Sequence, residues 1–100
     1  MLQRILGLLR TIGGEKTRID DRRRLLRLGR DEYKYCEGDH AVVLQIDMLR
    51  GKPSRLIYLS TIRRWLPPFE EEQISEAKRE AIAETIRLFL ESQGETVAIQ

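Results

Sequence analysis

Between Ile57 and Ser75 the apolar residues of the chain change their spacing. Ile57-Tyr58-Leu59-Ser60-Thr61-Ile62 reads as a strand and ends just before the only tryptophan, Trp65. Beyond Ser75, Ile82, Ile86, Phe89 and Leu90 recur at the helical intervals i, i+4, i+7 and i+8. A sheet therefore gives way to a helix inside this stretch. Trp65, Pro67, Pro68 and Ser75 define the junction, with Trp65 expected as the apolar plug that closes it. Each proline biases the residue before it away from the helical region, so Leu66 to Pro68 is expected to be an extended connection. Ser75 is a good N-cap. The acids Glu70, Glu71, Glu72 and Glu76 are expected near the positive end of the helix dipole.

The remaining segments supply the sheet. Leu2, Ile5, Leu6 and Leu9 form one helical stripe, which Gly13-Gly14 would stop, so residues 1–14 read as an amphipathic helix of open placement. Residues 15–24 are polar and read as a loop. Leu25 to Leu28 reads as a short strand and Gly29 as a break or bulge. Asp31 to Cys36 reads as a second strand with Tyr33 and Tyr35 on one face. Glu37-Gly38-Asp39-His40 has the composition of a type II′ hairpin turn. In His40–Leu49, residues Val42, Leu44, Ile46 and Met48 alternate with Gln45 and Asp47, directing the first set to a core and the second to solvent.

Arg50 to Ser54 is a turn by composition. Arg55–Ile62 is apolar on both faces, as a central strand would be. A helix over 75–92, about 27 Å long, is long enough to run back along such a strand. Gly94 suits its C-terminal cap. Glu76/Arg79 and Glu84/Arg87 are surface pairs at i,i+3. Glu95–Gln100 reads as a last strand with Val97 and Ile99 on one face, parallel to the strand before the helix if both join one sheet. The predicted fold class is α+β: an antiparallel meander with a long C-terminal helix packed on one face and a final short strand. At 100 residues it is read as a single domain, with 25–100 forming sheet plus helix.

Charge is distributed unevenly. Residues 1–34 carry ten Lys/Arg and five Asp/Glu, whereas residues 70–100 carry three and eight, although the whole chain is only +2. Such a dipolar chain can steer a charged partner. Cys36 is the only cysteine, which rules out an intramolecular disulfide and a cysteine metal cluster and suits a reducing compartment. Arg4 and Arg10 interrupt the N-terminal apolar residues, so neither a signal peptide nor a membrane span is expected, and the cytoplasm is the expected location.

No catalytic constellation emerges. Cys36 and His40 are a nucleophile–base pair in name only, because a tight surface turn supplies no oxyanion hole and excludes no water. Glu37, Asp39, His40 and Asp47 cannot form one metal site, since His40 and Asp47 lie about 23 Å apart along an extended strand. No glycine-rich loop precedes the helix, and its acidic start would repel phosphate. No catalytic residue, metal or cofactor is therefore expected, and the chain is read as a binding protein, not an enzyme. Arg22, Arg23, Arg24, Arg27, Arg30 and Lys34, beside Tyr33 and Tyr35, have the residue types of a surface for single-stranded nucleic acid: charge follows phosphates and rings stack on bases. The same tyrosines suit cross-strand sheet packing.

A longer pattern runs through Ile46-Asp47-Met48, Ile57-Tyr58, Ser60-Thr61-Ile62-x-x-Trp65-x-Pro67-Pro68, the acids, Ile74-Ser75, the helix with Ile82 and Ile86, and a closing strand. It resembles the immunity protein 74 family of bacterial polymorphic-toxin systems over Glu37–Gln100. The resemblance implies a non-enzymatic protein that neutralises a cognate toxin by occlusion, with a structural role for Trp65. The alternatives are the single-stranded nucleic-acid module and a structural protein that self-associates through the N-terminal stripe or the C-terminal strand.

Overall fold

The structure, a computed structural model, describes residues 17–100, so the segment expected as an N-terminal helix lies outside the described residues. One open sheet carries strands β1 (Arg23–Arg27), β2 (Glu32–Glu37), β3 (His40–Met48), β4 (Arg55–Ile57) and β5 (Val97–Ile99), in spatial order β1-β2-β3-β4-β5. Neighbours from β1 to β4 are antiparallel, whereas β5 lies parallel to β4. Helix α1 (Glu76–Glu91) makes the connection between those two strands. The α+β meander with a returning helix and a closing strand is therefore the observed architecture.

Local chemistry explains most of the boundaries. Gly38 has φ +59°, and among the described residues no non-glycine has a positive φ, which suits the expected type II′ turn between β2 and β3. Ser75 Oγ accepts the Lys78 N–H at 3.0 Å and caps α1. At the other end Glu95 N–H donates to Leu90 O and Gly94 N–H to Glu91 O, the paired bonds of a Schellman motif with left-handed Gly94 at its centre. Part of the expected loop 15–24 is strand-like: Leu25 N–H donates to Thr17 O and Ile19 N–H to Arg23 O. This short return covers the outer edge of β1.

β4 is shorter than the apolar run that suggests it. After Ile57 the backbone tightens into a 3-10 turn, Leu59–Thr61. Thr61 N–H and Oγ1 both donate to Tyr58 O, at 3.1 and 2.6 Å, and Thr61 Oγ1 also accepts from Gln45 N–H at 3.0 Å. The hydroxyl thus substitutes for a ladder bond and draws the chain out of the sheet.

The inner sheet face and α1 share one core. It contains Leu25, Tyr33, Tyr35, Val42, Leu44, Ile46 and Ile57 from the strands, Ile62, Trp65 and Ile74 from the junction, and Ile82, Ala83, Ile86 and Leu90 from the helix. Phe89, expected in the helical stripe, is half-buried against it. Met48, expected inside, is 49% exposed at the last position of β3. Period two assigns a residue to a face but does not say how far along the strand the cover reaches. The Glu84/Arg87 pair forms and Arg87 also holds Glu91, while Arg79 donates to Ile62 O at 2.8 Å instead of meeting Glu76. The helix is thereby tied to the junction.

Candidate functional site

The junction folds into a closed loop between the sheet and α1. Trp65 is 6% exposed and bridges Val42, and Leu66 N–H donates to Ala41 O at 2.7 Å. Leu66 to Phe69 then makes a tight turn closed by Phe69 N–H to Leu66 O at 3.0 Å, with Pro68 cis at its third position. The diproline therefore reverses the chain instead of extending it, because two prolines fit a turn of this type as well as an extended run. A bridge between Arg64 and Gln73 shuts the base of the loop.

This geometry also corrects the role expected for the acids. Glu76 is the only acid in the first turn of α1, so Glu70, Glu71 and Glu72 belong to the loop and all three are exposed. Glu72 does not cap the helix, a role that Ser75 fills; its Oε1 lies 2.9 Å from His40 Nε2. The His40 ring stacks on Phe69 with centroids 3.8 Å apart and meets Trp65 edge-on at 4.9 Å. On the neighbouring wall stand Arg63 and Arg64, both exposed. Together with Glu70 to Ile74 they line a groove of about 600 Å³. Arg63 Nε donates to Ser60 O at 3.2 Å. Among the described residues, Arg64, Glu70 and Glu71 have no ion-pair partner, although opposite charges share the groove.

The residues expected as a nucleic-acid surface are divided between the two faces of the sheet. Tyr33 and Tyr35 are 3% and 1% exposed on the inner face, so neither offers a ring to a base. Tyr35 Oη donates to Glu37 Oε1 at 2.7 Å, and burial, reinforced by that carboxylate, pushes the phenol well above its ordinary pKa. Burial tends to raise the Glu37 pKa, but bonds from Lys78 and Tyr35 outweigh it and hold the carboxyl below its ordinary value. Arg23 also faces inward, donating to Asp20 at 2.7 Å and Thr85 at 3.2 Å. Arg24 and Lys34 alternate with these residues and project from the outer face. Arg22 and Arg30 are exposed at the two ends of the β1–β2 region, and Arg27 donates to Gly29 O and Arg30 O. The face that carries Arg24 and Lys34 has none of the rings.

Two further clusters show what the remaining polar residues do. Asp47 accepts from Gln45 Nε2 at 2.9 Å and from Tyr58 Oη at 2.8 Å, which hold its carboxyl below the usual range. This acid of the longer sequence pattern is therefore a clasp between β3 and the segment after β4. Arg55, the first residue of β4, is 7% exposed. Its Nη1 donates to Tyr33 Oη at 2.6 Å, and its Nε lies 3.4 Å from Glu95 without a hydrogen-bond geometry. Ser54 Oγ donates to the same Glu95 at 2.6 Å. Only the approach of β5 to β4 brings the half-buried Glu95 to the buried Arg55, so no local signal marks the pair. Cys36 and His40 fall on opposite faces, because Cys36 pairs with Ala41 on the outer side while His40 alternates with it. Among the described residues, no three His, Cys, Asp or Glu side chains are grouped to hold a metal.

Among the described residues, an open, mostly antiparallel sheet with one covering helix and a charged loop defines a small α+β protein built around surfaces. Residues 26–100 match the family described as immunity protein 74, and the chain belongs to that family. Membership makes it an immunity protein, one that neutralises a toxin, with a toxin protein as its partner. No curated protein and no solved structure matches the chain. No helix among the described residues is long and apolar enough to cross a membrane.

Proposed function

We propose that this chain is a non-enzymatic immunity protein that binds its cognate toxin in the cytoplasm and neutralises it by occlusion, with the groove of Arg63, Arg64 and Glu70 to Glu72 against the toxin. The observation that carries this reading is the charged loop itself. Among the described residues, Glu70, Glu71 and Arg64 have no ion-pair partner, and they stand on a segment held by Trp65, the Leu66–Phe69 turn and the Arg64–Gln73 bridge. Unpaired charges of both signs on a rigid support favour recognition of one complementary surface, because little conformational entropy is lost on docking and mismatched partners meet like charge. Long-range steering adds speed to the encounter, which suits a protein that must reach its toxin first.

The test is co-expression with candidate toxins drawn from the genes that neighbour the one for this chain. Protection of the host and recovery of a stable complex support the reading. Failure of the purified proteins to associate at low salt overturns it. Glu70→Lys combined with Glu71→Lys is expected to weaken the complex at least about tenfold while leaving the fold intact, since both side chains are exposed. An unchanged affinity would move the contact surface elsewhere on the chain.

A further inference from the structure

The two edges of the sheet are treated differently. Outside β1, the return of Thr17 to Ile19 occupies the edge with backbone bonds, and Arg22, Arg23, Arg24 and Arg27 add charge. Such pairing and charge are ordinary protections of an edge strand. Among the described residues β5, at the opposite edge, has neither. Thr96-Val97-Ala98-Ile99-Gln100 carries no charge, proline or glycine, and among the described residues no strand lies beyond it.

The backbone of β5 is directional. Thr96 O accepts from Arg55 N–H, and Gln100 N–H donates to Ile57 O, so the even-numbered residues turn their polar groups toward β4. Backbone groups alternate along a strand, so the N–H and C=O of Val97 and Ile99 point to the open side. We propose that a second copy of this chain occupies that edge, with β5 antiparallel to its copy about a two-fold axis through Ala98. In this register each Val97 exchanges both backbone bonds with Ile99 of the other copy, which satisfies every outward group of the strand. Centring the pair on Val97 instead would set Ile99 opposite Glu95, whose N–H already donates to Leu90 O.

Side chains fit the same operator. Val97 and Ile99 lie on the core side, half-buried, and would extend the apolar layer toward each other across the axis. Ala98 falls at the non-hydrogen-bonded pair, where opposing backbones approach to about 4.5 Å and a small residue fits best. No side chain from Thr96 to Gln100 is charged, so self-pairing sets no like-charged side chains of these residues opposite one another. An isologous contact of this kind closes at two copies and does not propagate. Built on short strands, it belongs with the smaller interfaces, below about 1,200 Å² in total, so its population depends on protein concentration. The inference stands on the β5 edge alone and does not depend on the toxin-facing role given to the charged loop.

Sedimentation equilibrium of the full chain over a wide concentration range tests it. The expected result is reversible growth from 11.7 kDa to twice that mass. Val97→Pro removes an outward N–H and leaves the β4 ladder intact; it is expected to weaken association about tenfold or more. Ala98→Lys and Ala98→Glu provide a second reading that tolerates a misfolded proline variant. Each alone is expected to be monomeric, and an equimolar mixture to recover the dimer, because only the Ala98-centred register puts the two charges opposite one another. A chain that stays monomeric at every concentration overturns the proposal. So does a dimer that ignores these substitutions, which would place the contact elsewhere. A monomer in which Val97→Pro abolishes capture of the toxin would assign the edge to a strand of the toxin and equally overturn it.

Discussion

The imidazole of His40 lies on the ring of Phe69, with planes 16° from parallel, while its Nε2 faces Glu72 at 2.9 Å. The β2–β3 turn is thereby joined to the acidic loop that precedes α1. The exposed acids of that loop are consequently displayed in a fixed geometry, although the loop has no regular secondary structure of its own.

His40→Ala should release this attachment. Stacked pairs contribute about 0.5–1.5 kcal/mol beyond area burial, and a loss of that size is expected in chemical denaturation. Amide exchange should accelerate in residues 69–73 while the centre of β3 stays protected. Uniform acceleration would mean that the ring supports the whole fold and not the loop.

Trp65→Ala should be far more costly. The indole belongs to the core shared by strands, junction and α1, and truncation of a buried aromatic costs about 3–5 kcal/mol. Ser75→Ala, which removes only the α1 cap, should cost about 1 kcal/mol. A urea series on both variants checks the ranking, and a near-neutral Trp65→Ala would contradict the burial.

Tyr33→Phe removes one oxygen but orphans a donor on a buried guanidinium. Arg55 Nη1 donates to that oxygen at 2.6 Å, and its Glu95 contact is longer, at 3.4 Å. Hydrogen bonds to charged groups contribute about 1.5–3 kcal/mol, so a loss in that range is expected from this single-atom change. Arg55→Met in the Tyr33→Phe background should recover part of it, because the orphaned Nη1 donor is then gone while Glu95 keeps its bond from Ser54. Urea unfolding of the double variant measures the recovery.

Stability at low pH should depend on Asp20. The Arg23 side chain, with the Arg22 and Arg23 amides, holds its pKa at about 2 instead of 3.8. A group whose pKa is depressed on folding contributes stability above its unfolded value and loses it as pH falls through the folded one. The Asp20 contribution is therefore complete above pH 3.8 and lost as pH falls to about 2. Asp20→Asn should reduce the slope of urea midpoint against pH in that window. An identical slope would show that the Arg23 contact is equally present in the unfolded chain.

Much of the architecture was readable from local pattern. The change of period around Trp65, the alternation of Val42, Leu44 and Ile46, and the cap signals at Gly38, Ser75 and Gly94 mark the elements observed. The candidate site was less legible. Glu70 to Glu72 read as charges serving the helix dipole, yet they lie in the closed loop, and Glu76 is the acid in the first turn after the Ser75 cap. Arg22 to Lys34 with its two tyrosines read as one basic aromatic surface, yet the pleat sends Tyr33 and Tyr35 inward and Arg24 and Lys34 outward.

The division has a physical origin. Backbone preference and side-chain period act over a few residues, so the order of strands and helix, their caps and which side chains share a face are encoded along the chain. Which face is covered depends on where α1 returns after the junction, a contact between residues far apart in sequence. That return buries Tyr33 and Tyr35, and the docking of β5 on β4 brings Glu95 to Arg55. The same docking leaves the far side of β5 as an uncharged edge, a consequence of sheet order that no local stretch of sequence contains.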